Sequence, residues 1–390
     1  MRIAIIGAGA AGCFCAINLK RRLPRAEVTV FEKASRPLAK VAVTGGGRCN
    51  LTNSFRDVKS LKSVYPRGAQ LMKRALAAFS QHDVMQWFEK EGVRLVVQQD
   101  QCVFPASQNA MEIVGTLTRL MNELGVTLML NHRIGHLSAL WSEYDRVVVT
   151  SGGAPKASGL SFLDGLGLKI VEPVPSLFTF NVADADLQSL MGTVVENVSC
   201  KLAGTKIRTE GPLLVTHWGL SGPAILKLSS HGARLLAERN HTADVCINWL
   251  GTTGMDEAQC MLCEYRAAHP QKLLSSVYPR TLNQRLWNYL LQKAGLSPGK
   301  RWSETGDKQI NRLADTLTAH THHIAGRGTY KEEFVTCGGV AIDNIDMNTL
   351  EAKHHPGLYF AGEVLDVDAV TGGFNLQAAW SMGHMAASHI

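Results

Sequence analysis

The first 33 residues constrain the fold more than any other stretch, because a glycine-rich turn joins two short apolar runs in a fixed order. Arg2–Ile6 is almost wholly apolar, as suits a parallel strand buried on both faces. Gly7–Gly12 follows at once, fits G-x-G-x-x-G and opens a helical pattern. A second apolar run, Val28–Phe31, ends at Glu32. This order predicts a βαβ unit that binds a dinucleotide.

Each glycine of this turn has its own expected role. Gly7 makes the tight turn, Gly9 lets the backbone approach a pyrophosphate, and Gly12 lets helix and strand pack closely. The free N–H groups of the helix N-terminus favour a negatively charged ligand. Glu32 lies where a carboxylate accepts the ribose hydroxyls of an adenosine. Because Lys33 follows an acid, we expect a 2′-hydroxyl, as in FAD or NAD, rather than the 2′-phosphate of NADP.

Composition limits the class of protein. A chain of 390 residues is expected to form two or three domains, and 45% apolar with 19% charged residues is typical of a folded globular protein. The net charge of +7 is interpreted as spread over solvated helix faces, so we expect no nucleic-acid partner. Nine cysteines without framework spacing indicate reduced thiols, a cytoplasmic location and no metal site. No apolar run is long enough to predict a membrane span.

The pattern of strands and helices changes along the chain. Strands alternate with helices at first, which predicts an open α/β sheet, and Ala69–Glu91 is interpreted as one amphipathic helix. Gly92–Val97 and Gln101–Pro105 are predicted to pair as a hairpin. From about Pro173 short β-like runs dominate, followed by a mostly helical stretch that extends to His323. We therefore predict a discontinuous dinucleotide-binding domain (1–174 and 334–390), an inserted β-rich, barrel-like domain (175–252 and 310–333) and a helical subdomain (253–309).

A second glycine-rich stretch follows the βαβ unit. Thr44 precedes three glycines, which favour neither helix nor strand because glycine loses much conformational entropy in either. We expect this backbone to pass close to a ligand, with Arg48 supplying a positive charge and Asn50 a donor and an acceptor. A flexible surface loop is the alternative.

Two later strands also end at glycine. Asp145–Thr150 leads into Gly152 and Gly153, which again suits close approach to a cofactor. Leu358–Glu363 ends in Gly-Glu, and Gly372–Gln377 then opens the last helix. We expect the acid to take a ribityl hydroxyl and the helix N-terminus to face negative charge on a reduced flavin. The two ends of the chain are thus predicted to build one site.

With these motifs together, the chain resembles the bacterial flavoproteins of the HI0933-like family, which includes BaiN-type reductases. The resemblance covers essentially the full length. The stretches that carry it are Gly7–Gly12 with Glu32, Thr44–Asn50, Leu213–Pro223, Thr336–Val340 and Gly357–Gln377. It implies an α/β fold with FAD bound in extended form by a glutathione-reductase-like Rossmann domain, carrying an inserted β-barrel and a helical subdomain.

The resemblance also implies which positions contact FAD. At the N-terminal end these are Gly7, Gly9, Ala11, Gly12, Glu32 and Lys33. In the middle they are Gly45, Gly46, Gly47, Arg48, Cys49, Asn50, Ile134 (through its backbone, beside the adenine), Gly152 and Gly153. At the C-terminal end they are Gly362, Glu363, Phe374, Asn375 and Leu376. One departure from the family pattern, the shortened segment 158–165, is expected to alter the lining of the site.

The resemblance implies an FAD-dependent oxidoreductase. We predict that NADH or NADPH delivers hydride to the flavin, which reduces an activated double bond, such as an enone, of a small organic substrate. Since no second G-x-G-x-x-G is present, the nicotinamide would visit only transiently. The alternative is an FAD-binding protein with a role in RNA modification or a non-catalytic binding role.

Other residues leave further questions open. A thiol reaction at Cys49 is a third hypothesis, against a cysteine that merely packs beside the cofactor. His217 and Trp218 are candidates for lining the substrate side, although a lone histidine is more often structural. The sequence assigns no catalytic acid and no oligomeric state.

Overall fold

The computed structural model describes residues 1–154, 156–328 and 335–390. The chain forms two compact units, one of Met1–Ser176 with Tyr330–Ile390 and one of Leu177–Thr329. The predicted bounds, which divide the second unit into a β-rich part and a helical part, stay a prediction. Phe334, predicted to begin the second part of the dinucleotide-binding domain, lies outside the described residues.

The regular elements of both units follow in chain order. The strands are β1 (Arg2–Ile6), β2 (Glu27–Phe31), β3 (Thr52–Asn53), β4 (Leu95–Val97), β5 (Cys102–Pro105), β6 (Thr127–Met129), β7 (Arg146–Val149), β8 (Ile170–Ser176), β9 (Phe180–Asn181), β10 (Val194–Leu202), β11 (Arg208–Thr216), β12 (Gly219–Ser221), β13 (Ala243–Asn248), β14 (His320–Ile324), β15 (Gly326–Arg327), β16 (Val335–Val340) and β17 (Leu358–Phe360). The helices are α1 (Ala10–Arg22), α2 (Ala39–Gly47), α3 (Leu61–Val64), α4 (Ala69–Ala78), α5 (Gln81–Lys90), α6 (Ala110–Glu123), α7 (Ala185–Gln188), α8 (Pro223–His231), α9 (Ala233–Glu238), α10 (Met255–Ala268), α11 (Gln284–Lys293), α12 (Asp307–Thr318) and α13 (Phe374–His389).

The first unit is built on a five-stranded parallel sheet in the order β17-β7-β1-β2-β6. Its strands are short and apolar, and β1 is buried on both faces, since the consecutive residues Ile3 and Ala4 are fully buried. All five strands run the same way, so the residues after β1, β2, β7 and β17 lie at one edge of the sheet. In an open α/β sheet that edge binds the ligand. The predicted Rossmann-like α/β fold is confirmed.

Two smaller sheets complete this unit. β3, β5 and β4 form an antiparallel sheet in that order, which confirms the hairpin predicted around residues 92–105. β16 pairs antiparallel with β8, and the register shifts between Cys337 and Gly339.

The single helix predicted over Ala69–Glu91 is wrong, because two helices, α4 and α5, occupy this stretch. Ser80 starts the second helix by forming a capping box with Asp83. The Ser80 hydroxyl accepts from the Asp83 N–H at 3.3 Å, and the Asp83 carboxylate accepts from the Ser80 N–H at 2.7 Å. This reciprocal cap satisfies N–H groups that a new helix would otherwise leave unpaired.

The second unit contains a seven-stranded antiparallel sheet in the order β14-β13-β10-β11-β12-β9-β15. Within the described residues the edge strands β14 and β15 do not pair with each other, so the closed barrel stays a prediction. The mostly helical stretch predicted up to His323 ends earlier, at Thr318, because His320–Ile324 pairs with β13 as a strand. In the parts of the chain that the structure covers, no helix is long and apolar enough to cross a membrane.

Candidate cofactor site

The turn between β1 and α1 has the geometry that its glycines predict. Gly7 has φ +107°, and a Cβ there would lie 2.5 Å from the carbonyl oxygen of Thr150. A Cβ on Gly12 would lie 2.0 Å from the carbonyl oxygen of Gly7, so helix and strand meet backbone to backbone. A Cβ on Gly9, by contrast, would meet no atom within 4 Å beyond its chain neighbours. The turn therefore packs tightly against the protein at Gly7 and Gly12. It has open space at Gly9, which directly precedes α1.

Glu32, directly after β2, is held by two backbone donors. One carboxylate oxygen accepts from the N–H of Ala8 and the other from the N–H of Ala34, each at 2.8 Å. Each oxygen keeps a second lone pair. The carboxylate is thus fixed beside the glycine turn and still able to accept two hydroxyl groups.

The adenine-side residues of the prediction lie near this carboxylate. The loop after β6 is tied to Glu32 by the His132 N–H, which donates to the Glu32 carbonyl oxygen at 2.8 Å. Ile134 follows in that loop, half-buried against the core, whereas Lys33 is exposed.

The end of β7 supplies a residue that the sequence analysis did not name. The Thr150 hydroxyl lies 2.9 Å from the Gly7 carbonyl oxygen and fixes strand to turn. The next hydroxyl, that of Ser151, is buried and has no hydrogen-bond partner among the described residues. Gly152 follows with φ +74° and open space around it. A buried hydroxyl without a partner is costly, so its position beside the turn fits a polar ligand. The signal that could have identified Ser151 is a serine at the end of a strand, directly before two glycines.

The glycine-rich stretch forms the last part of α2, where the backbone leaves helical geometry and becomes a loop. Helical backbone stops before Thr44, and Gly45, Gly46 and Gly47 all have positive φ. Gly46 and Gly47 have no atom within 4 Å of an added Cβ. The Arg48 guanidinium lies 4.4 Å from the centre of the Phe104 ring and donates to the Gly45 carbonyl oxygen at 3.1 Å. The exposed Arg48 side chain thereby links the loop backbone to the Phe104 ring.

Cys49 and Asn50 follow this loop and attach it to the rest of the first unit. Cys49 is fully buried, and burial raises the pKa of its thiol to about 12. It is therefore protonated near neutral pH and a poor nucleophile, which disfavours the thiol hypothesis. The Asn50 amide oxygen accepts from the Gly373 N–H and its nitrogen donates to the Thr52 carbonyl oxygen, each at 3.1 Å.

Glu363, just after β17, joins segments that are far apart in sequence. One oxygen accepts from the Thr336 N–H at 2.8 Å, and the other pairs with the Lys40 ammonium at 3.0 Å. A Cβ on Gly153 would lie 2.5 Å from this carboxylate, and one on Gly362 would lie 2.9 Å from the Ala11 Cβ. The predicted residues of both chain ends thus meet here, together with Lys40, which the sequence analysis missed because nothing local marks it.

The N-terminus of α13 is fixed by its own side chains. The Phe374 ring packs edge-on against Phe55, with centroids 5.1 Å apart. The Asn375 amide donates to the carbonyl oxygen of Ala369 at 3.0 Å and accepts from its N–H at 2.9 Å. Both side chains thus serve the protein, so contact with a cofactor would come from the backbone N–H groups of the first turn, which also includes half-buried Leu376.

All twenty predicted cofactor positions fall in the first unit. Together with the unpartnered hydroxyl of Ser151, they provide glycines with open space, two fixed carboxylates and two helix N-termini. This donor and acceptor set fits an extended dinucleotide with a pyrophosphate. Specific contacts to FAD at each position stay a prediction.

Two other predicted regions have definite surroundings. In the altered segment 158–165, a short 3-10 helix, Ala157–Leu163, buries Leu160 and Leu163 in the core. In the second unit, His217 and Trp218 form the turn between β11 and β12, with their rings in edge contact at 4.3 Å and the histidine exposed. A role of either region in substrate binding stays a prediction.

Comparison with known proteins covers nearly the whole chain. The HI0933-like protein Rossmann domain matches residues 1–389. A ribosomal RNA dihydrouridine synthase of Escherichia coli (strain K12) is 30% identical, over 97% of this chain and 94% of the relative. A ribosomal RNA dihydrouridine synthase of Haemophilus influenzae is 27% identical, over 99% and 97%. A 3-dehydro-bile acid delta(4,6)-reductase of Clostridium scindens is 26% identical, over 99% and 98%.

Proposed function

Because the chain belongs to the HI0933-like family of FAD-binding oxidoreductases, we propose that it reduces a carbon–carbon double bond conjugated with a carbonyl group, and that the substrate is a uridine of ribosomal RNA. The observation that carries the substrate assignment is the match to a ribosomal RNA dihydrouridine synthase along nearly the full length of both chains. The earlier expectation that no nucleic acid binds is untested by the structure.

The names of the relatives describe one type of reaction on two substrates. Dihydrouridine differs from uridine by two hydrogens across C5=C6, a bond conjugated with the C4 carbonyl group. The bile-acid enzyme is named for a 3-oxo group and a 4,6-diene, which are conjugated in the same way. In both, hydride adds to the carbon farther from the carbonyl and a proton to the nearer one.

The electron balance requires a two-electron donor, which we propose to be NADH or NADPH. NAD(P)H, one proton and the double bond give NAD(P)⁺ and the saturated product. Bound FAD supplies hydride transfer between donor and substrate. The chain contributes binding, orientation and charge stabilisation.

Different residues of the first unit would bind different parts of the cofactor. Glu32 would hold the adenosine ribose, while Gly9 and the Ser151 hydroxyl would face the pyrophosphate region. The N-terminus of α13 would stabilise negative charge at the redox-active end through its free N–H groups. Glu363, oriented by Lys40 and the Thr336 N–H, would accept a hydroxyl of the linking chain.

A direct test uses FAD-loaded protein, unmodified ribosomal RNA transcribed in vitro, and NADH or NADPH. After digestion to nucleosides, mass spectrometry should find uridine heavier by about 2 Da at a defined position, dependent on the nicotinamide. Unchanged uridine, under conditions in which the nicotinamide is oxidised by a small conjugated ketone, would reject RNA as the substrate.

A small molecule is the second candidate, because the bile-acid reductase matches 99% of this chain. A 3-oxo-4,6-diene steroid would then be reduced in the same assay while the RNA is not. The two candidates share the redox step, so they differ only in what reaches the bound flavin.

A further inference from the structure

Cations are dense in one stretch of the first unit, where the sequence was interpreted as having only scattered charge. Residues 48–74 contain seven lysines and arginines and a single acidic residue, Asp57. The net charge of this stretch of 27 residues is therefore +6. It begins in the glycine-rich loop of the cofactor site.

Most of these cations face solvent. Arg56, Lys59 and Lys62 are exposed between β3 and α4. Arg67 differs, because it is largely buried and forms a bidentate pair with the buried carboxylate of Asp368. It serves the fold, whereas the three exposed residues are available to a partner.

The three exposed cations are anchored beside the predicted redox end of the cofactor site. Before them, the Asn53 amide donates to the Gly372 carbonyl oxygen at 3.0 Å. After them, the Val370 N–H donates to the Val64 carbonyl oxygen at 2.9 Å. Residues 53–64 are thus tied at both ends to residues 370–372, directly before α13.

Tight turns hold the cations within this anchored stretch. Phe55 has φ +59°, which is strained for a bulky residue, and its N–H donates to the Asn53 side chain at 2.9 Å. Its ring packs on Phe374, as described above. The Val58 N–H donates to the Phe55 carbonyl oxygen at 3.1 Å, which closes the next turn. Arg56, Lys59 and Lys62 therefore project from a compact stretch of backbone.

These side chains lack strong partners of their own. Arg56 lies 3.6 Å from Asp57, but both are about 70% exposed, with 73% and 69% of their side chains accessible, so the pair contributes little. Among the described residues neither Lys59 nor Lys62 forms an ion pair. No large apolar side chain of residues 48–74 is exposed, which disfavours a lipid surface.

We propose that Arg56, Lys59 and Lys62 bind backbone phosphates of the RNA substrate and hold the target uridine at the cofactor site. This inference rests on the proposed function and deepens it, because it assigns the surface that recognises RNA. Phosphate contacts fix position and orientation, while sequence is read elsewhere.

The test compares FAD-loaded wild type with two triple variants of equal charge change. One carries Arg56→Gln, Lys59→Gln and Lys62→Gln. The matched control carries Lys90→Gln, Lys169→Gln and Lys353→Gln, all exposed on other parts of the first unit. The probe is a fluorescein-labelled, uridine-rich, single-stranded RNA of about 20 nucleotides, followed by anisotropy from about 50 to 200 mM salt.

Loss of three phosphate contacts should lower the slope of log K against log salt by about 2, since each contact contributes about 0.7 for a single strand. We expect binding to weaken about tenfold or more at about 100 mM salt, and less than about twofold in the control. Equal weakening of both triple variants, or no weakening of the first, would overturn the proposal. Equally tight binding of duplex DNA of the same length would overturn the assignment to RNA.

A second readout separates this proposal from the proposed function. The rate at which NADH or NADPH reduces the bound flavin should be the same in all three proteins, because none of the six residues belongs to the cofactor site. RNA that binds through Arg56, Lys59 and Lys62 but gains no dihydrouridine would contradict the proposed function and leave the binding surface intact.

Discussion

Glu32 and Cys49 differ in what surrounds their ionisable groups. The Glu32 carboxylate accepts from two backbone N–H groups and remains partly accessible, so it is held in place and can accept further hydrogen bonds. The Cys49 thiol is fully buried, so its ionised form is strongly disfavoured. One residue is thereby suited to bind hydroxyl groups, and the other is unsuited to attack a substrate.

Replacing Glu32 with glutamine should weaken FAD binding about tenfold to a hundredfold. The amide NH₂ would face a backbone donor, and hydrogen bonds to a charged group contribute about 1.5–3 kcal/mol. Quenching of flavin fluorescence on titration with FAD measures the dissociation constant. Glu27→Gln is the control and should bind normally, because Glu27 lies at the other end of β2 with 78% of its side chain exposed. A Glu32→Gln variant with an unchanged dissociation constant would contradict a role of this carboxylate in FAD binding.

Replacing Cys49 with alanine should leave the rate of flavin reduction by NADH or NADPH within about threefold of wild type, because the protonated thiol takes no part in the chemistry. Alanine also has a Cβ, so the backbone strain at φ +62° is unchanged. Stopped-flow absorbance measures the rate between about pH 6 and 9. A loss of about a hundredfold or more would revive the thiol hypothesis.

In the turn between β1 and α1, two glycines differ in why the position needs a glycine. Gly7 is needed by the protein itself, since an added Cβ would collide with the Thr150 carbonyl oxygen. Gly9 is not, since its added Cβ would meet open space. The fold therefore explains the first glycine, whereas the second has no such explanation and fits the proposed ligand contact.

Alanine at these two glycines should have different effects. Gly7→Ala should destabilise the protein by about 2 kcal/mol or more, through collision and a φ of +107° that alanine rarely adopts. Gly9→Ala should change stability by less than about 1 kcal/mol but weaken FAD binding about tenfold or more. Thermal unfolding without FAD and FAD titration measure the two effects. A Gly9→Ala protein that binds FAD normally would contradict the close approach of a ligand at this turn.

Elements whose structure depends on neighbouring residues could be predicted from the sequence. The βαβ unit, the non-helical triple glycine and the hairpin near residue 100 all depend on neighbouring residues. The break between α4 and α5 was missed, although Ser80 and Asp83 have the spacing of a capping box. The strand β14 was missed because its pairing with β13 joins residues about 80 apart in sequence.

Much of the candidate site could not be predicted because it depends on contacts between distant residues. Glu363 meets Lys40 across 323 residues, and nothing near either residue indicates the pair. The same holds for the hydrogen bonds between the Asn375 amide and Ala369, while the predicted contact of Asn375 with FAD stays a prediction. The glycines and acids were predicted because their roles follow from short motifs.

At the scale of the whole molecule, buried thiols couple folding to pH. Cys15, Cys49 and Cys200 are fully buried, and desolvation raises the pKa of each from 9.0 to about 12. In the unfolded chain these thiols ionise above about pH 9, whereas in the folded protein they stay protonated. The unfolded state then binds fewer protons, so stability falls as pH rises.

The urea midpoint should therefore decrease between pH 8 and 10. Each buried thiol contributes up to about 1.4 kcal/mol per pH unit above its unfolded pKa. A Cys15→Ala, Cys49→Ala, Cys200→Ala variant should show a shallower decrease, whatever its stability at pH 8. Cys260→Ala, at an exposed position, should match the wild-type slope. Equal slopes in all three proteins would show that these thiols do not set the alkaline limit.

We propose above all that the first unit holds FAD as a working redox cofactor. The most direct measurement is the anaerobic absorption spectrum of FAD-loaded protein before and after addition of NADH or NADPH, followed by a conjugated carbonyl substrate. We expect the flavin bands to bleach when the nicotinamide is added and to return when the substrate is added. Bands that stay unbleached would contradict hydride transfer from a nicotinamide, and a protein that binds no FAD would contradict the cofactor site itself.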